Sequence, residues 1–72
     1  MITDVHNYLN NITSKMRSRR ETMNYTQAYV AGKLGISQNA YSKIESGQTN
    51  FTVRRLYEIV HILEASIFDF LQ

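Results

Sequence analysis

Apolar residues recur at helical spacing along almost the whole chain, and the gaps between runs hold residues that start and stop helices. Val5, Leu9, Ile12 and Met16, with Tyr8 beside them, follow i, i+3, i+4 steps and predict a first helix over residues 4–22. Thr3 or Asp4 can cap it. Asn10 and Asn11 weaken the pattern, so a start near Ser14 is the alternative. The apolar stripe favours the longer helix, with residues 1–13 as its N-terminal extension. Val30, Ala31 and Leu34 form the face of a second helix, capped by Thr26 and ended by Gly35. Ile36 follows as an apolar plug. Ser37 can cap a third helix with Ala40, Tyr41 and Ile44 on its inner face, and Gly47 closes it. Thr52 can cap a fourth, with Val53, Leu56, Tyr57, Val60 and Leu63 as its core stripe and Ile59 and Ile62 as a second stripe beside it. Ser66 can cap a last short helix in which Ile67, Phe70 and Leu71 are core. No segment sustains the alternation of a strand. The expectation is an all-α chain, five helices around one core.

The stretch Thr26–Gly47 organises the rest. Two short helices joined by a tight turn containing Gly35 fit the helix-turn-helix unit. Ala31 is small where two steeply crossed helices must approach closely. An ordinary helical hairpin fits the spacing equally well. The outward residues of the third helix separate the two readings. Gln38, Asn39, Ser42 and Lys43 are polar hydrogen-bonding groups with no acid among them, the inventory for reading base edges and phosphates.

Charge strengthens that reading. Residues 15–55 hold all eight basic groups against Glu21 and Glu45, a local balance of +6, while residues 56–72 carry Glu58, Glu64 and Asp69. A basic middle with an acidic tail suits a protein that meets a polyanion on one side.

The run TQxxVAxKLGISQxAxSKIExG resembles the lambda-repressor/Cro-like, XRE-type helix-turn-helix family of DNA-binding regulators, and the similarity extends from about Lys15 to Leu71. The resemblance implies a compact five-helix lambda-repressor-like domain with its helix-turn-helix at about 26–47, and the length of 72 residues suits a single domain over 1–72. It implies that Arg20 of the first helix is held by Glu45 at the end of the third. It also marks departures: Phe51 stands where relatives carry proline, Glu64 where they commonly end the helix with glycine, and Phe68 where they are usually polar.

The function expected is sequence-specific binding of double-stranded DNA by a repressor-like transcriptional regulator. Gln38 is the candidate base reader, since a carboxamide can bond adenine N6 and N7 together. Asn39, Ser42 and Lys43 can reach bases or backbone. Gln27 is expected to clamp a phosphate, with Ser37, Thr49 and Asn50 as further DNA-binding candidates. One short recognition helix reads few base pairs. A homodimer on a near-palindromic operator is therefore expected, joined through Ile59, Ile62 and Phe68. The alternative is an antitoxin or adaptor whose main partner is a protein.

Other classes find little support. The chain has no cysteine, hence no disulfide and no thiolate site. His6 and His61 stand apart without an acidic cluster, so no metal is expected. No nucleophile–base pair, carboxylate dyad or glycine-rich phosphate loop points to an enzyme or a cofactor. No apolar run approaches a membrane span, and no signal peptide opens the chain. A cytoplasmic protein without a small-molecule effector is the expectation.

Overall fold

The computed structural model describes residues 5–71, and among them five helices and no strand. The helices are α1 (Val5–Thr22), α2 (Gln27–Leu34), α3 (Gln38–Glu45), α4 (Val53–Ile62) and α5 (Ile67–Phe70). The candidate caps Thr3 and Asp4 lie outside the described residues. From α2 onward every helix starts on a hydroxyl. Thr26, Ser37 and Thr52 accept from the backbone N–H three residues on, each at 3.0 Å, and Ser66 accepts from Phe68 N–H at 3.2 Å. Asp69 returns a bond to Ser66 N–H, which closes a capping box on α5.

Helices α1 to α4 share one way of stopping. A residue with positive φ follows each, namely Asn24, Gly35, Gly47 and Glu64. In each case the next residue's N–H reaches back five positions: Tyr25 to Arg20, Ile36 to Ala31, Gln48 to Lys43 and Ala65 to Val60. Glycine adopts this conformation cheaply at Gly35 and Gly47, and asparagine tolerates it at Asn24. Glu64 adopts it without either advantage and ends α4 all the same.

α1 packs on α3 and α5, and α2 packs on α3 and α4. Met16, Val30, Ala31, Tyr41, Ile44, Leu56, Ile59, Val60, Leu63 and Phe70 make the core. Ala31 is buried between the helices of the turn unit, as close approach requires. The long stripe of α1 is covered only in part. Met16 is buried and Ile12 half-buried, but Leu9, Val5 and Tyr8 are exposed as the helix runs past the core.

α4 corrects the expected stripe. Val53 is 71 % and Tyr57 54 % exposed, whereas Ile59 is fully buried. The covered face is Leu56, Ile59, Val60 and Leu63. This face and the expected stripe of Val53, Leu56, Tyr57, Val60 and Leu63 both run on i+3 and i+4 steps and share three members, Leu56, Val60 and Leu63. Only the neighbouring helices decide between them. Ile59 is therefore core and is not a surface for a second chain. Ile62 is half-buried against the same core. Leu71, expected inside, lies past the end of α5 and is exposed, while Phe68 is 71 % exposed.

Candidate nucleic-acid interface

One carboxylate locks α3 in place. The Glu45 side chain is fully buried at the end of α3. Arg20 of α1 grips it bidentately, Nε to Oε2 and Nη2 to Oε1, both at 2.9 Å. Tyr41 Oη donates to Oε2 at 2.7 Å, Gln27 Nε2 to Oε1 at 3.2 Å, and Arg17 Nε to Oε1 at 3.4 Å. Arg20 also donates to the Tyr25 carbonyl at 2.9 Å. The pairing of Arg20 with Glu45 is thus present, and it extends to three further donors.

The protonation states follow from this cluster. Burial alone would push the Glu45 carboxyl up, but the bonds from Arg20, Tyr41 and Gln27 outweigh it and hold the carboxyl below its usual range. Burial, and then the bond to Glu45, pushes the Tyr41 phenol well above its ordinary value. Arg20's own bonds to Glu45 raise the guanidinium in turn. A charged acid at neutral pH therefore ties α1, α2 and α3 together.

With Tyr41, Ile44 and Glu45 turned inward, the opposite face of α3 is left to solvent. Gln38, Asn39 and Lys43 are exposed there and Ser42 is half-buried. Ser37, Asn39 and Lys43 line one side of an open groove of about 440 Å³, and Thr49, Asn50 and Phe51 of the α3–α4 loop line the other. The first turns of α3 and α4 both border it. Unpaired N–H groups and the helix dipole make such ends favourable to anions.

Of the eight candidates, five meet in this groove: Ser37, Asn39, Lys43, Thr49 and Asn50. Gln38 and Ser42 lie on the same helix outside its walls. Gln27 sits apart, half-buried, with its amide engaged by Glu45. Thr52 and Arg55 also line the groove and were missed. Arg55 belongs to the counted basic groups, a signal that charge alone did not turn into a position. Its Nη1 donates to Glu58 Oε1 at 3.1 Å and to the Leu34 carbonyl at 3.5 Å.

A helix-turn-helix family model matches residues 16–70, most of the chain and all of α2 to α5. The chain belongs to the helix-turn-helix family. The turn unit of this XRE-type domain is formed by α2 and α3, and its outward helix is α3. Among curated proteins, the cryptic phage CTXphi transcriptional repressor RstR of Vibrio cholerae serotype O1 is similar. It is 39 % identical over 56 residues, 78 % of this chain and 50 % of the relative. The chain thus spans about half the length of the curated relative it matches. No solved structure matches it significantly. Among the described residues, no helix is long and apolar enough to cross a membrane.

Proposed function

We propose that the chain acts as one DNA-binding unit of a transcriptional regulator, repressor-like as its relative is named, that reads a specific duplex through α3. The observation that carries this is the division of α3 into two faces. One is clamped to the core and to Arg20 through Glu45, while Gln38, Asn39 and Lys43 stand clear. A helix so held can enter the major groove with its N-terminal end toward the bases. Gln38 is the base reader, Asn39, Ser42 and Lys43 meet bases or backbone, and Ser37, Thr49 and Asn50 meet phosphates around the groove. Gln27 takes a phosphate with the donor that Glu45 leaves over.

The reading extends to a homodimer on a near-palindromic site, located with the DNA in the cytoplasm and without a small-molecule effector. Ile59 has no part in that contact. Support for it lies in the exposed apolar side chains of the C-terminal third, Val53, Tyr57, Phe68 and Leu71. Selection of bound duplexes from random DNA, followed by gel shift at graded salt, tests the function. The expected result is a recovered consensus and affinity that falls steeply with salt. Recovery of no sequence, or salt-insensitive binding, would refute it.

A further inference from the structure

The family match begins at residue 16, but α1 begins at Val5. About three helical turns therefore lie outside the matched region, and one side of them borders the α3–α4 loop across a cleft. Val5, Leu9 and Asn10 line one wall of a second cleft, of about 430 Å³, whose other wall is the α3–α4 loop with Thr49, Asn50 and Phe51. The approach is close. Asn10 Oδ1 lies 3.4 Å from the point that a Cβ on Gly47 would occupy.

The same three loop residues also wall the groove beside α3. The loop is thus a partition, with the start of α1 on one side and the candidate reading groove on the other. Its first half is tied back to α3, because Gln48 and Thr49 N–H both meet the Lys43 carbonyl, at 2.8 and 3.3 Å. The chain has no proline to stiffen the second half. Packing has to hold it.

We propose that the N-terminal part of α1, through Val5, Leu9 and Asn10, positions the 47–51 loop so that Thr49 and Asn50 meet the DNA backbone. The inference rests on the DNA-binding reading above and gives these residues no DNA contact of their own. Leu9 is the decisive residue, since an apolar side chain cannot bond a phosphate. Any effect it has on affinity must pass through the fold, and the loop is the element across the cleft from it.

The test has two arms on the full chain. Amide hydrogen exchange is measured without DNA in the wild type, Leu9→Ala and Tyr8→Ala, the last an exposed position outside the cleft. Affinity is measured on a duplex selected from random DNA, across a salt series. Leu9→Ala should speed exchange at Gln48–Phe51. It should also lower affinity about two- to tenfold, the worth of about one hydrogen bond, with the salt slope unchanged. Tyr8→Ala should alter neither. Unchanged loop exchange in Leu9→Ala overturns the proposal, and so does faster exchange with undiminished affinity. The exchange arm needs no DNA. A wild type that binds no duplex removes the DNA role, while exchange still reports whether α1 holds the loop.

Discussion

Two residues on α3 carry opposite duties. Gln38 is exposed at the first turn, and its proposed role as base reader makes a sharp demand. Gln38→Ala should weaken binding to the selected duplex by about 1–3 kcal/mol while leaving binding to mixed-sequence DNA intact. An equal loss on both, measured by competition gel shift, would make it a backbone contact. Glu45 is turned inward, and its removal strands Arg20, whose side chain is only 12 % exposed. Breaking a buried pair from one side costs about 3–5 kcal/mol. A chain of this size has about 4–11 kcal/mol in total. Glu45→Ala should therefore remove a large share of the stability and lower the denaturant midpoint accordingly. The pH dependence has a definite sign. The folded protein holds this carboxyl below its ordinary range, so the unfolded chain takes up the proton first as pH falls. Its contribution is complete above about pH 4.3, the unfolded value, and is lost as pH drops through the lower folded value. Glu45→Gln should show a shallower acid loss of stability than the wild type in urea titrations over that window. A parallel loss in both would move the acid sensitivity to other carboxylates.

At the level of elements, the caps were readable because they are local. Thr26, Ser37, Thr52 and Ser66 each bond within their own first turn, so sequence neighbours suffice. Gly35 and Gly47 were readable for the same reason at the other end. Glu64 was not, because nothing in its type favours a positive φ, which here is 54°. It is held from outside its helix. Arg19 Nε and Nη2 bond the carbonyls of Leu63 and Glu64 at 2.9 and 3.0 Å, and Tyr25 Oη bonds the Glu64 carboxylate at 3.2 Å. Glu64→Gly should relieve the left-handed backbone and raise stability by about 1 kcal/mol, read as a higher thermal midpoint. A lower midpoint would show that the Tyr25 bond outweighs the backbone cost.

At the scale of the whole molecule, the basic middle is smaller than its count. Arg19, Arg20 and Arg55 hold carbonyls and carboxylates within the chain. Lys43 stands in the groove wall as an exposed cation. If it neutralises a phosphate, Lys43→Ala should lower affinity and flatten the log–log salt slope by about one. Gln27→Ala, which removes no charge, should lower affinity at an unchanged slope. The proposed dimer sets two copies of α3 about 34 Å apart, one turn of DNA. Phe68 is the point to test it. Being exposed, Phe68→Glu should stay folded by circular dichroism and shift sedimentation equilibrium from dimer to monomer. A wild type that stays monomeric on DNA would end the dimer reading.

Helix number, the starts of α2 to α5, the two glycine stops at Gly35 and Gly47 and the outward polar set on α3 were all determined by the sequence itself. Each depends on residues within about one turn of each other, or on a periodicity that any helix must present. The Arg20–Glu45 pair became legible through family resemblance, since 25 positions separate its members. The folded arrangement alone decided which of two overlapping stripes on α4 is covered, which arginines are engaged, and that the start of α1 lies against the α3–α4 loop. These depend on where helices distant in sequence come to rest. Val53 and Ile59 satisfy the same spacing rule, and only the position of the rest of the core sends one outward and the other in.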